Sequence, residues 1–386
     1  MKDNHISKTF WKENPTFMSK VFEMAAKYDD IINLSIGDPD ILTDSNVIDL
    51  AAQDAHNGYT KYANFQGDPE LRAEIRKYYK DEFKMDIDDS EIFVSASGNI
   101  AMFMVMKAIL DVDDEVILVS PYYTPYPNQV IFNGGIPVEL CTYEEDDFQI
   151  DIDRLEEVIT DRTKAIIINT PGNPSGSCLS LETMKKVSEV VIRHDLLVIA
   201  DDIYTALSFQ NPFVPIASLP GMRERTICIN SFSKNFLMTG WRVGNIVAPA
   251  KFINVIRRIN ETMCYAAPNI SQRAAIHALR HRDEFVPPFV EEYRERMYYA
   301  AERVNKIPWM SVLYPPKGSF YLFINIKKSG LSSVDAMIKI LEDAHVLTLP
   351  GSEFGTSGEG FIRLCCTVGL EELGKAFDRI EQIKFD

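Results

Sequence analysis

The stretch Ser231–Gly244, which reads SFSKNFLMTGWRVG, decides how the whole chain is interpreted. An apolar run from Ile227 to Ile229 leads into it, as expected where a buried strand ends. Lys234 follows two serines, and Arg242 follows the lysine eight residues later. This combination suits an enzyme that holds a phosphorylated aldehyde by its carbonyl and its phosphate. The alternative is a solvated helix face on which a lysine and an arginine occur by chance.

Three earlier apolar runs have the same design as the run before Lys234. They are EVILVS (115–120), KAIIINT (164–170) and LLVIA (196–200), and helical patterns separate several of them. Continuous apolar runs of this kind predict strands covered on both faces, so the fold class is α/β with a mainly parallel sheet. Ligands bind such sheets beyond the carboxyl ends of the strands. The polar residues at those ends are Tyr123, Asn173, Asp201, Tyr204, Ser231 and Lys234.

The length and composition predict two domains. The chain has 386 residues, of which 46% are hydrophobic, so it can form one large core and a smaller unit. We expect an N-terminal arm and part of the small domain in residues 1–45, and a large cofactor-binding domain in 46–287. Residues 288–386 would form a connector helix, from Pro288 to Lys306, and a small α+β domain. Aromatic residues between positions 10 and 22 indicate that the arm docks on another surface.

Charge and motif content exclude several classes of protein. The net charge of −16 argues against binding to nucleic acid or to anionic lipid. The longest apolar stretch, Ile100 to Leu110, contains Lys107 and is too short to span a membrane. The six cysteines lack the spacing of a metal site or a disulfide scaffold, and the histidines are scattered. We therefore expect a cytoplasmic protein without a metal site.

Two charged residues in apolar surroundings need a partner. Asp201 ends an apolar run, so it either caps the following helix or holds a protonated ring nitrogen. Arg363 lies within an apolar strand pattern and should meet a carboxylate, supplied either by the protein or by a ligand. Gly98 and Asn99 open a helix, where free N–H groups can bind phosphate, although glycine also occurs in such turns for steric reasons.

The chain resembles the class I/II aminotransferases, which are pyridoxal-phosphate enzymes of fold type I in the aspartate aminotransferase superfamily. The resemblance runs from about Ile32 to the C-terminal helix. It rests on motifs that follow the order of that family: IGDPD, KYANFQGDPELR, SASGNIA, PYYTPYP, TPGNPSG, IADDIY, SFSKNFLMTGWRVG, GSFYLF and EGFIRL. It implies a large domain with a mainly parallel sheet, and a smaller α+β domain built from the N-terminal segment and the C-terminal part.

The same resemblance implies the roles of residues around pyridoxal 5'-phosphate. Lys234 would be the Schiff-base lysine and the proton shuttle, and Asp201 would keep the ring nitrogen protonated. Tyr204 and Asn173 would hold the phenolic oxygen of the cofactor ring, and Tyr123 would stack on the face of that ring. Each of these three residues also has a structural explanation that is equally good when it is taken singly. Tyr204 can be a core aromatic, Asn173 a turn residue and Tyr123 a ring that packs in the interior.

Further residues would bind the phosphate and the substrate. The resemblance assigns the phosphate to Ser231, Ser233, Arg242 and the backbone N–H groups of Gly98 and Asn99. It assigns the substrate carboxylate to Arg363, with Asn173 and the Gly37 backbone nearby. Tyr62 would reach the phosphate bound by the neighbouring subunit, so the active unit would be a homodimer.

The expected reaction is transfer of an amino group between an L-amino acid and a 2-oxo acid by a ping-pong mechanism. A C–S β-lyase, of the cystathionine β-lyase kind, remains an alternative on the same fold. A non-catalytic regulator is a second alternative; such proteins usually carry a DNA-binding module, which we do not expect in this acidic chain. The sequence does not identify the amino acid or the oxo acid.

Overall fold

The structure is a computed structural model that describes His5, Val21 and residues 23–384. The expected aromatic arm, between positions 10 and 22, lies outside the described residues apart from Val21. The strands of the described part are β1 (Ile32–Asn33), β2 (Ile92–Ser95), β3 (Glu115–Ser120), β4 (Ile136–Cys141), β5 (Thr163–Asn169), β6 (Leu197–Asp201), β7 (Thr226–Ser231), β8 (Gly244–Val247), β9 (Tyr321–Asn325), β10 (Val346–Leu347), β11 (Leu349–Pro350) and β12 (Phe361–Cys365). The α-helices are α1 (Ser45–His56), α2 (Pro69–Phe83), α3 (Gly98–Ile109), α4 (Tyr126–Phe132), α5 (Ile152–Val158), α6 (Leu181–Arg193), α7 (Phe232–Asn235), α8 (Ala250–Met263), α9 (Asn269–Val304), α10 (Ser333–Ala344) and α11 (Leu370–Ile380).

A seven-stranded sheet in the order β2-β8-β7-β6-β5-β3-β4 forms the centre of the large unit. Strands β4, β3, β5, β6 and β7 are parallel, whereas β8 runs antiparallel to both of its neighbours, β7 and β2. The middles of the central strands, 166–168, 198–200 and 227–229, are at most 2% exposed. Helices cover both faces, which explains why the middles of these strands are apolar at every position. The predicted α/β class with a mainly parallel sheet is confirmed.

The smaller unit combines N-terminal and C-terminal segments of the described residues. Strands β11, β12 and β9 form an antiparallel sheet, and β1 pairs in parallel with β10 through Ile32 and Val346. Helices α10 and α11 pack in this unit, and a core that includes Leu34, Ile324, Ile340 and Phe377 joins them to the strands. The N-terminal segment therefore contributes to the smaller unit, as expected.

Helix α9 is longer than the connector predicted from Pro288 to Lys306. It begins at Asn269 and contains Pro287 and Pro288 within its 36 residues. Proline removes one backbone donor and usually ends a helix. Here Leu279 on one side of the proline pair lies in the core of the large unit, and Phe289 on the other side lies in the core of the smaller unit. Packing on both sides keeps the helix continuous. The divisions of the chain at 45/46 and 287/288 stay predictions.

Residues 23–384 include no helix whose length and apolar content would let it cross a membrane.

Candidate active site

The carboxyl ends of β5, β6 and β7 open into a cavity of about 390 Å³ between the two units. All of the predicted site residues line this cavity except Tyr62. They are Gly37, Gly98, Asn99, Tyr123, Asn173, Asp201, Tyr204, Ser231, Ser233, Lys234, Arg242 and Arg363. Residues far apart in the chain meet there because parallel strands present their carboxyl ends at one edge of the sheet.

Lys234 enters the cavity from a short helical turn at the end of β7. The Ser231 hydroxyl caps this turn by accepting a hydrogen bond of 3.2 Å from the Ser233 N–H. The Lys234 ammonium group donates to the carbonyl oxygen of Gly37. Burial lowers the pKa of Lys234 to about 8, against the opposing effect of the Asp38 charge. A neutral amine is therefore accessible near physiological pH, as a nucleophile or a base requires.

One carboxylate oxygen of Asp201 has a hydrogen-bond partner, and the other has none among the described residues. Oδ2 accepts a hydrogen bond from the Tyr126 hydroxyl, whereas Oδ1 is buried without a hydrogen-bond partner among the described residues. Burial raises the pKa of Asp201 to about 6, and the Tyr126 hydrogen bond limits that rise. The next helical turn, Thr205–Leu207, has no side-chain cap, so the alternative that Asp201 caps it is wrong. A buried, unpaired acceptor suits a protonated donor such as a pyridinium N–H.

Hydroxyl, guanidinium and backbone donors gather at one end of the cavity. The hydroxyl oxygens of Ser231 and Ser233 lie 3.0 Å apart. Arg242 adopts a left-handed backbone conformation with φ of 54° and donates from Nη1 to the carbonyl oxygen of Thr239 at 2.9 Å. Gly98 is the first residue of the 12-residue helix α3. Positive charge and free N–H groups at a helix N-terminus together favour an anion such as phosphate.

Arg363 is a buried cation on β12, with 6% of its surface exposed. Its guanidinium donates to Asn173 Oδ1 at 3.1 Å and to the carbonyl oxygen of Ser35. The guanidinium carbon lies 4.8 Å from the ring centroid of Tyr321 and 4.9 Å from that of Phe354. Within residues 23–384 no carboxylate forms an ion pair with Arg363, so the charge is left for a ligand.

The remaining predicted residues are placed as follows. The Tyr204 hydroxyl lies 3.0 Å from the Tyr321 hydroxyl, and the Tyr123 ring meets the Tyr126 ring edge to face at 5.5 Å. Tyr62 is 87% exposed and packs only against Tyr265 among the described aromatic rings, with 5.1 Å between ring centroids. It does not reach the cavity of its own chain.

The family described as aminotransferase class I and II matches residues 29–380. The chain belongs to this family. An aspartate aminotransferase from Pyrococcus abyssi is 37% identical over 374 residues, with 96% of each chain covered. The aromatic-amino-acid aminotransferase 2 of Thermococcus litoralis is 35% identical over 374 residues, also with 96% of each covered.

A solved aspartate aminotransferase from Thermus thermophilus with maleate superimposes on the structure with a TM-score of 0.92. It is 30% identical, and the match covers 98% of this chain and 99% of that one. The expected family, fold and amino-transfer activity are therefore confirmed, and the protein is an aminotransferase.

Two residues of the aminotransferase site were not predicted from the sequence. Tyr126 holds Asp201, and Tyr321 joins Tyr204 to Arg363. Both occur in motifs that carried the family resemblance, PYYTPYP and GSFYLF. Because PYYTPYP contains three tyrosines, sequence spacing does not show which of them reaches the aspartate.

Proposed function

We propose that this aminotransferase uses pyridoxal 5'-phosphate and moves an amino group between an L-amino acid and a 2-oxo acid by a ping-pong mechanism. The observation that carries the proposal is the meeting, in one cavity, of three groups suited to a bound cofactor and substrate. They are the amine of Lys234 with its lowered pKa, the Asp201 Oδ1 without a hydrogen-bond partner and the Arg363 guanidinium, which has no carboxylate partner among residues 23–384. Each matches a different part of the cofactor and substrate.

Residues of the cavity fit the cofactor from ring to phosphate. Asp201 would accept the hydrogen bond of the ring N–H, and Tyr204 and Asn173 would hold the phenolic oxygen. Tyr123 would pack on the ring face. At the other end, Ser231, Ser233, Arg242 and the backbone of Gly98 and Asn99 would bind the phosphate. When bound, pyridoxal phosphate withdraws electrons from the substrate Cα and so makes its proton acidic.

The protein contributes binding and proton transfer. Lys234 would bind the aldehyde of the cofactor and, once freed by the substrate amine, would take the proton from the substrate Cα and deliver it to C4′, the former aldehyde carbon of the cofactor. This needs a neutral amine, and burial provides one by lowering the pKa of Lys234 to about 8. Arg363 would hold the substrate carboxylate with two parallel hydrogen bonds, assisted by Asn173 and the Gly37 backbone.

We also propose that the active unit is a homodimer in which Tyr62 binds the phosphate held by the other subunit. Tyr62 and Tyr265 are 87% and 46% exposed, and their rings pack together with 5.1 Å between centroids. Two exposed aromatic rings in contact with each other favour packing against another protein surface. All six cysteines are free thiols, which supports a cytoplasmic location.

The amino donors to test first are aspartate and the aromatic amino acids, because these are named for the relatives described above. Purified protein with pyridoxal phosphate and 2-oxoglutarate is incubated with a panel of amino acids, and glutamate formation is measured. Transfer that is lost in Lys234→Ala supports the proposal. The absence of transfer across a broad panel, with the cofactor bound, contradicts it. The C–S β-lyase alternative has no supporting observation; it predicts pyruvate and ammonia from cystathionine without any oxo acid.

A further inference from the structure

Tyr321, the first residue of β9, is a buried tyrosine in the wall of the active-site cavity. Its side chain is 3% exposed, and its ring and hydroxyl contact different parts of the site. Among the residues it contacts are Tyr204, Arg363 and Gly37. The first belongs to the cofactor side of the cavity, and the second belongs to the substrate side.

The contact with Tyr204 joins two hydroxyl groups. Their oxygens lie 3.0 Å apart, and Tyr204 itself is 2% exposed. A tyrosine hydroxyl carries a single proton, so it can donate only one hydrogen bond. If Tyr204 donates its proton to an acceptor in the cavity, it must accept the proton of Tyr321. The direction of this bond therefore decides whether Tyr204 is available as a donor.

The contact with Arg363 affects the hydroxyl of Tyr321 through its charge. The guanidinium carbon lies 4.8 Å from the Tyr321 ring centroid, within the range of a cation–π interaction. Burial raises the pKa of the Tyr321 hydroxyl, and the positive charge of Arg363 opposes that rise. The charge makes Tyr321 a better donor than burial alone would allow. A substrate carboxylate bound to Arg363 would neutralise this charge and weaken the donor.

The contact with Gly37 brings Tyr321 beside the peptide that holds Lys234. A Cβ atom at Gly37 would lie 2.0 Å from the Tyr321 hydroxyl oxygen, so only glycine fits at this position. The carbonyl oxygen of the same glycine accepts the hydrogen bond of the Lys234 ammonium group. One hydroxyl is thus packed against Tyr204 and against the peptide that holds the reactive lysine.

We propose that Tyr321 is a positioning residue that connects the substrate carboxylate at Arg363 with the cofactor at Tyr204. Its hydroxyl donates to Tyr204 and leaves the Tyr204 proton for the cofactor, and its ring supports the guanidinium of Arg363. This inference rests on the proposed roles of Tyr204 and Arg363.

Two substitutions of Tyr321 distinguish the effect of its hydroxyl from the effect of its ring. Tyr321→Phe keeps the ring under Arg363 and removes the proton. We expect about a tenfold lower kcat and about a tenfold weaker binding of pyridoxal phosphate to the cofactor-free protein, because a buried Tyr204 hydroxyl loses its partner. KM for the amino donor should change less than about twofold. Tyr321→Leu also removes the ring, so KM should rise about tenfold as well.

A double-mutant cycle tests whether Tyr321 acts through Tyr204. Cofactor affinity and the pH midpoint of the absorption of the bound cofactor are measured for Tyr204→Phe, Tyr321→Phe and the double variant. We expect the double variant to differ from the wild type no more than Tyr204→Phe does. Tyr293→Phe is the matched control, because it removes another buried hydroxyl from the same core, 3.3 Å from Asp40 and outside the cavity lining. It should leave both quantities unchanged.

Additive effects in the cycle would overturn the proposal, as would a Tyr321→Phe variant with the wild-type absorption midpoint and cofactor affinity. These readouts do not depend on turnover. If the wild-type protein binds the cofactor but transfers no amino group, the proposed function fails while the link between Tyr204 and Tyr321 is still tested. If the wild type transfers amino groups and the cycle is additive, only the role of Tyr321 is lost.

Discussion

Removal of the Tyr126 hydroxyl should destabilise the cofactor-free protein to an extent that depends on pH. Tyr126 is the hydrogen-bond donor to Asp201 Oδ2, and Oδ1 has no partner among the described residues. Tyr126→Phe therefore leaves the carboxylate without a donor from the described part of the chain. A hydrogen bond to a charged group contributes about 1.5–3 kcal/mol, whereas a bond between neutral groups contributes about 1 kcal/mol.

The pH dependence follows from the ionisation of Asp201. Burial raises the pKa of Asp201 from 3.8 to about 6. A carboxyl group with a raised pKa makes the folded state less stable as pH rises through the interval between these two values. At pH 5 Asp201 is mainly neutral in the folded protein, and at pH 8 it is ionised. Tyr126→Phe should lower the free energy of unfolding by about 1 kcal/mol at pH 5 and by about 1.5–3 kcal/mol at pH 8.

Urea unfolding of the cofactor-free protein, followed by circular dichroism at the two pH values, measures this difference. Tyr123→Phe is the matched control, because it removes a hydroxyl from the adjacent ring that has no hydrogen-bond partner in residues 23–384. Its effect should be below about 0.5 kcal/mol at both pH values. An equal loss at pH 5 and pH 8 for Tyr126→Phe, or a larger loss at pH 5, would refute the argument.

Three further predictions concern the lysine, the arginine and a helix cap. Stopped-flow absorbance measures the rate at which the cofactor-free protein takes up pyridoxal phosphate. This rate should rise with pH around a midpoint near 8, because burial lowers the Lys234 pKa from 10.5 to about 8. A midpoint near 10 would contradict this. Arg363→Lys should raise KM for amino donors at least about tenfold in initial-rate assays, with a smaller effect on kcat. The reason is that lysine lacks the planar guanidinium that binds a carboxylate through two parallel hydrogen bonds. An unchanged KM would count against the assignment of Arg363 to the substrate carboxylate. Asp68→Ala should lower the free energy of unfolding by about 1 kcal/mol and leave activity unchanged, because Asp68 accepts from the Glu70 N–H at 2.8 Å and caps α2. Lys77→Ala, at an exposed position of the same helix, is the comparison.

The strands were predictable because their sequence signal is local. Each central strand is a continuous apolar run that ends in polar residues, and the structure places β5, β6 and β7 over those runs. Helix α9 was less predictable, because Pro288 marks a helix start in isolation. The helix begins at Asn269 and stays continuous because it packs against two cores, and residue spacing in the sequence does not show those contacts.

The partners of the charged residues were not predictable. The sequence required a partner for Arg363 and left open whether a carboxylate of the protein or one of a ligand would supply it. In the structure, Asn173 and the Ser35 carbonyl contact the guanidinium, and no described carboxylate pairs with it. Asp201 likewise contacts Tyr126, which is 75 residues away in the chain.

The sequence by itself determined the family, the α/β class and the residue types that the chemistry needs. Apolar periodicity and the ordered motifs around Lys234 are properties of the chain, and they hold before any long-range contact forms. Tertiary structure alone decided which groups are left unpaired. Burial lowers the pKa of Lys234, raises that of Asp201 and keeps Arg363 in a pocket of aromatic rings. These effects depend on desolvation and on distances of a few ångströms between segments that are far apart in the sequence. Desolvation and these short distances arise only in the folded chain, where the two units line one cavity.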